Sequence, residues 1–345
     1  MLKVMAATPE STGLGEIGAH AARAEAMGFD GLQVPDAIND GLLLSALALQ
    51  ATRRLTVTTS VLVAFPRSPM TVAVAAWGLQ KMSGGRFELG LGSQIRQNIE
   101  QRYSTPWVSP VARMREYVQA LKAIFHSFQE GERLNFLGEH YRFTRLQPFF
   151  NPGPIDSPAP PVLCGAVGPD MTRMVGRIAD GLITHPTNTP PDYLRQVCLP
   201  RLEEGRLQAG RRPDAVQLVL GPLVATGRDE GVVAREWERQ RQRLGFLYST
   251  PAYWPALELL GWPEVGPRLQ RRTREGRWAE MAEGVTDAMM EKIVPRGSYE
   301  DIAGVLRERY AGLASAIAFP MPEDPADDGL AADAIARLRQ EWVAG

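Results

Sequence analysis

Residues 55–93 read LTVTTSVLVAFPRSPMTVAVAAWGLQKMSGGRFELGLGS. The stretch opens with a β-branched run, Leu55–Val63, of the kind that packs well on a pleated, buried surface. A helix-length apolar segment follows, Met70–Ser83, closed by Gly84-Gly85, residues that readily take the left-handed turn ending a helix. Phe87–Leu91 is then a second strand, running into Gly90-Leu91-Gly92-Ser93. A short β-branched run, a helix and another short apolar run make a βα unit with parallel strands. Gly90-Leu91-Gly92 lacks the last glycine of GxGxxG, so it is no dinucleotide fingerprint.

The same rhythm extends in both directions. Upstream, Leu2–Ala7 reads as a strand, Glu16–Met27 as a helix ended by Gly28, Gly31–Val34 as a strand stopped by Pro35, and Leu42–Thr52 as a helix. Downstream, helix Pro110–Ser127 leads into a hairpin, Leu134–Phe143, turning at Gly138-Glu139, and a proline-rich surface run, Pro148–Pro161. Strand Val162–Ala166, helix Asp170–Ala179, strand Gly181–Thr184, a helix near Tyr193–Ala209 and strand Val216–Ala225 resume the alternation. Helix Ser298–Tyr310, strand Ala316–Phe319 and helix Ala331–Trp342 close it. Eight strands alternating with helices predict an α/β chain, a (β/α)8 TIM barrel. Such a barrel needs roughly 250 residues, and 345 are present. The expectation is a single domain over 1–345 with insertions at about 128–160 and 245–294.

Composition narrows the function classes. A formal net charge of -1 offers neither a nucleic-acid groove nor a patch for anionic membranes. Cys164 and Cys198 are the two cysteines; with no CxxC pair they suggest neither zinc nor a disulfide framework, and they suit a reducing cytoplasm. No run approaches the roughly 20 apolar residues of a membrane span. Nor does the start resemble a secretory signal, so a cytoplasmic protein is expected. GxSxG, HExxH and P-loop motifs are all missing, which leaves hydrolase and nucleoside-triphosphatase readings without support.

In a β/α barrel the active site is built from loops after the strands, so polar residues just past strand ends carry the chemistry. The second strand delivers Asp36, Asn39 and Asp40. A carboxylate there either donates and accepts protons or caps the next helix; Asp40 is the better placed to cap, Asp36 to act on a substrate. After the fourth strand, Gly92 lets a flat ring approach the backbone, and Ser93 and Gln94 offer hydrogen bonds. The fifth strand runs through Ala166-Val167-Gly168-Pro169-Asp170 into a helix whose first amides suit a phosphate, unless Asp170 simply caps it. Of His20, His126, His140 and His185, His185 alone follows a barrel strand.

Several blocks together resemble the bacterial luciferase-like superfamily, in its branch of coenzyme F-420 (deazaflavin)-dependent oxidoreductases. They are Val63-Ala64-Phe65-Pro66-Arg67-Ser68-Pro69, Met82-Ser83-Gly84-Gly85-Arg86-Phe87-Glu88-Leu89-Gly90-Leu91-Gly92-Ser93-Gln94, and Pro110-Val111-Ala112-Arg113-Met114-Arg115-Glu116-Tyr117-Val118. Ala166-Val167-Gly168-Pro169, Ala179-Asp180-Gly181 and Ser249-Thr250-Pro251-Ala252-Tyr253 extend the likeness over nearly the whole chain. The resemblance implies a homodimer acting on a small-molecule substrate by hydride transfer, either reducing an activated double bond or oxidising an alcohol. It also implies that Ser60-Val61 forms a non-prolyl cis peptide behind the isoalloxazine ring. Related enzymes place a histidine shortly after the second strand, where this chain has Ala37 and Asn39, so the proton role passes to Asp36 or Asp40, or to the substrate. FMN with oxygen-using monooxygenase chemistry is the alternative on the same barrel, and a non-catalytic flavin-binding or assembly barrel the alternative of another class.

Overall fold

The computed structural model describes residues 2–343. Eight parallel strands close on one another: β1 (Lys3–Ala7), β2 (Gly31–Val34), β3 (Thr56–Thr59), β4 (Phe87–Gly92), β5 (Val162–Gly165), β6 (Gly181–Ile183), β7 (Gln217–Leu220) and β8 (Ala316–Phe319). β8 pairs with β1 through Val4↔Ile317, which completes the circle. Helices α1 (Ile17–Ala26), α2 (Gly41–Ala51), α3 (Pro69–Ser83), α4 (Pro110–Glu130) and α5 (Pro169–Ile178) follow the first five strands. The chain is therefore a (β/α)8 barrel.

Local chemistry explains the boundaries. Asp40 caps α2, its Oδ1 accepting from Leu42 N at 2.8 Å and Leu43 N at 3.2 Å, which satisfies amides the helix leaves orphaned. Pro69 begins α3, and Gly84 ends it at φ 66°. The Arg86 guanidinium binds the carbonyls of Leu49, Thr52 and Leu55 at 2.9–3.2 Å, while its Nε donates to Ser83 O. This stitches α2, β3 and α3 together beneath the barrel, the face that serves stability.

Two expected strands are divided. Leu55–Val63 forms β3 and, beyond the Ser60–Val61 bond, a short continuation at Leu62–Val63 that pairs with β4. Val216–Ala225 is split more deeply. Only Gln217–Leu220 joins the barrel, whereas Ala225–Gly227 pairs in parallel with Arg296–Ser298 in a separate two-stranded sheet. Pro222, which has no N–H to give a ladder, lies between them. The excursion expected at 245–294 is thus longer. It includes a helix at Glu230–Tyr248, whose buried Val233, Trp237, Leu244 and Tyr248 make one stripe. Trp237, Leu244 and Tyr248 of that stripe pack with Leu257, Leu269 and Met289 into a second core outside the barrel.

Candidate functional site at the barrel mouth

The stagger of a closed barrel places side chains from alternate strands in common layers. Met5, Leu163, Val219, Ile183 and Ala316 cluster inside with Val61. Following the strand register, Gln33, Gly90, Ile183 and Ala318 form the highest closed layer, and all four are buried. Above them come Ala7, Ser60, Gly165 and Gly221, every one of which retains solvent exposure. The top of the barrel is therefore an open mouth walled by small residues. A cavity of about 530 Å³ lies at the opposite end beside Val162, Asp180 and Gln217. It opens on the stabilising face of the fold, where the Lys122–Asp180 ion pair (2.7 Å) ties α4 to the start of β6.

The third strand supplies the back wall. The Ser60–Val61 peptide is cis. The Val61 side chain occupies the space that a Cβ at Gly92 would need, 2.4 Å away, and lies 3.2 Å from the Cβ position of Gly165. A Cβ at Gly90 would fall 2.0 Å from Thr59 O. The glycines after Leu89 thus exist to let β3 and Val61 press against β4.

Asp36 is held otherwise than expected. Its Oδ2 accepts from Val63 N (2.9 Å) and Arg67 Nη1 (2.7 Å), its Oδ1 from Gly41 N (3.1 Å) and Arg67 Nη2 (3.2 Å). The side chain is 5% exposed. A carboxylate with four donors, two of them from a guanidinium, is a clamp between β2, β3 and α2, an arrangement that opposes the proton-donor role expected of it. Asp40 completes the clamp through Arg67 Nη2 at 2.8 Å. Burial pushes its pKa up, but the Arg67 bond and two helix amides prevail and hold it below the ordinary carboxylate range. Asn39, whose amide can hydrogen-bond but has no acid–base capacity, donates to Thr12 O at 3.1 Å. Sequence reading missed Arg67, although it stood in the quoted block.

On the far side of the mouth, His185 follows β6. Its Nδ1 meets Thr187 Oγ1 at 2.8 Å and Thr187 N at 3.4 Å, and its ring stacks on Tyr253 at 4.3 Å. Burial, helped by the Arg243 charge, pushes its pKa down to about 4, so it is neutral at neutral pH. With Nδ1 accepting from the Thr187 amide, the proton sits on Nε2, which has no protein partner among the described residues. Asn188 locks this turn to the fifth strand: Oδ1 accepts from His185 N at 2.7 Å, and Nδ2 donates to Ala166 O at 2.9 Å. Val167 O accepts from Tyr193 Oη at 3.4 Å. Tyr253 comes from the excursion, in the Ser249–Tyr253 block that the resemblance includes; Asn188 was not singled out from sequence, and the polar run Thr187-Asn188 after a strand was the available signal.

Ser93 and Gln94 lie at the end of β4. Gln94 takes φ 60° and its Oε1 accepts from Ile95 N at 3.0 Å. The α5 N-terminus has Gly168 as its cap residue, with no side-chain cap. Asp170 does not cap; it pairs with Arg173 and is 69% exposed. The first amides of α5 therefore remain open to an anion. Ser60, Val61, Gly92, Ser93, Ala166, Gly168 and His185 are all brought to one end of the barrel, while Asp36 and Asn39 are spent on structure. Glu116, Glu139 and His140 also lie close together, but the Glu116 carboxylate accepts from the amides of Glu139, His140 and Tyr141, so it staples the hairpin.

A family model described as luciferase-like monooxygenase matches residues 2–316. An uncharacterized protein of Mycobacterium tuberculosis is 41% identical over 289 residues, covering 84% of this chain and 85% of the relative. An F-420-dependent glucose-6-phosphate dehydrogenase of Nakamurella multipartita is 33% identical over 237 residues, 65% of this chain and 67% of the relative. Among solved structures, the coenzyme F-420 dependent tetrahydromethanopterin reductase from Methanopyrus kandleri is similar with a TM-score of 0.78 and 18% identity, over 99% of both chains. That likeness speaks to the fold.

Proposed function

We propose that this chain, which belongs to the luciferase-like monooxygenase family, is an oxidoreductase that binds coenzyme F-420 in its barrel mouth and moves hydride to or from a small organic substrate. The observation that carries this reading is the mouth itself, an open, small-walled top layer backed by Val61 and flanked by uncapped helix amides. A flat tricycle needs that clearance, and its phosphate needs those donors. The name of the Nakamurella relative supports the deazaflavin.

In this reading Val61, Gly92 and the Gly165–Val167 segment hold the ring, and Ser93 and Gln94 lie along its polar edge. The amides of Gly168 and Asp170 receive the phosphate; Pro169 has none to give. The bound deazaflavin supplies hydride chemistry, while the protein orients it and excludes competing reactions. Neutral His185 presents an Nε2–H donor, suited to a carbonyl or phosphate oxygen rather than to acid catalysis at neutral pH. With the Asp36 and Asp40 carboxylates clamped on Arg67, the substrate or solvent manages the proton.

A second copy of the chain is the proposed partner. Leu43 and Leu47 on α2, with Val74 and Met82 on α3, are exposed apolar side chains on neighbouring helices, a surface suited to docking. No helix of the described residues is long and apolar enough to cross a membrane, and a cytoplasmic setting is part of the proposal. FMN with oxygen chemistry is the second reading, favoured by the description of the family model. Titration of purified protein with F-420 and with FMN, read by ligand fluorescence, tests both. Tight F-420 binding with no FMN binding is expected; the reverse favours the monooxygenase, and failure of both the non-catalytic barrel.

A further inference from the structure

The floor of the mouth contains one polar side chain with nothing to bind. Gln33 shares its layer with Gly90, Ile183 and Ala318. Gly31, two residues earlier on β2, faces the barrel interior, since a Cβ there would meet the Met5 side chain at 2.3 Å. Alternation along the strand therefore aims Gln33 inward as well, one layer nearer the mouth. Its residue exposure is 8%, and Nε2 is sealed from solvent without a hydrogen-bond partner. Among the described residues Oε1 accepts no bond either. A buried amide left in this state is costly; of the layer above it, Ala7, Gly165 and Gly221 offer no polar side chain, and the Ser60 hydroxyl makes no hydrogen bond to it.

We propose that the Gln33 carboxamide is a cofactor-binding group, hydrogen-bonded in the loaded protein to the carbonyl- and imide-bearing edge of the ring seated in the mouth. The proposal rests on the reading that this mouth takes a deazaflavin. A carboxamide carries a donor and an acceptor side by side, and the two exchange by a half-turn about one bond. An imide edge presents the complementary pair. Ala7, Gly165 and Gly221 above it are small, so little side-chain bulk stands between that edge and the carboxamide.

The test compares wild type with Gln33→Met, which is close in length and has no hydrogen-bonding amide, and with Gln33→Leu should methionine fail to pack. F-420 is titrated by its fluorescence, and the melting temperature is measured without ligand. Expected are a dissociation constant raised about 5- to 100-fold and a ligand-free melting temperature unchanged or higher, because the variant removes an unpaired buried amide. Unchanged F-420 affinity in the variants overturns the assignment while leaving the cofactor reading intact. A melting temperature lowered in step with affinity also overturns it, by showing Gln33 to be a packing residue. If wild type takes no F-420 at all, the cofactor reading falls first and the Gln33 assignment falls with it.

Discussion

Exchanging Asp36 for asparagine separates a structural carboxylate from a catalytic one. In the native chain this carboxylate accepts four hydrogen bonds, at 2.7, 2.9, 3.1 and 3.2 Å, and faces a guanidinium in a site that leaves it 5% exposed. Asparagine keeps one acceptor but turns an NH2 toward donors. It also removes the charge that Arg67 opposes. Breaking a buried pair from one side costs about 3–5 kcal/mol. Arg67 retains Asp40 and Val63 O, at 2.8 and 2.9 Å, so the lower end, about 3 kcal/mol, is expected. With an unfolding entropy of about 2 cal/mol/K per residue, that is a fall of about 4 °C in melting temperature. The assay pairs thermal unfolding with an F-420 titration and, once a substrate is known, a pH–rate profile. Loss of stability with the shape of that profile preserved is expected. An Asp36→Asn protein that melts like wild type but loses turnover by about 100-fold or more refutes the clamp and restores Asp36 as a proton donor.

Other outcomes follow from the same geometry. Gly168→Val should weaken F-420 binding with little change in melting, because a side chain there meets nothing within 4 Å and φ is an ordinary -80°. Gly90→Ala should instead cost several kcal/mol in unfolding assays, about 3 or more, since its Cβ would lie 2.0 Å from the Thr59 carbonyl. His185 is held near 4, below the ordinary 6.5, so the unfolded chain binds more protons between those values. Its contribution to stability is complete above about 6.5 and is lost as pH falls toward 4. His185→Phe should flatten the melting-temperature profile over that window, with the residual slope carried in part by His20, whose pKa is also lowered by burial. Leu43→Glu combined with Val74→Glu should leave a folded monomer in sedimentation, and an unchanged dimer would remove α2 and α3 from the interface.

Much of the architecture was determined by sequence alone, because the signals are local. A β-branched run followed by an apolar helix and a glycine stop specifies a βα unit within its own residues, and Asp40 caps α2 from one position before it. Even the cis Ser60–Val61 peptide is what the resemblance implies. What the chain does with its polar groups was decided in three dimensions. Asp36 read as a free carboxylate past a strand, but Arg67, 31 residues on, takes it. Gln33 read as an ordinary strand residue, and only the barrel's stagger puts its amide beneath the mouth. The excursion after β7 hid its helix because its stripe faces a second core that no single segment contains. Helix and strand signals act within a turn or a pleat; which lone pairs are spent and which stay open depends on neighbours the fold brings from elsewhere.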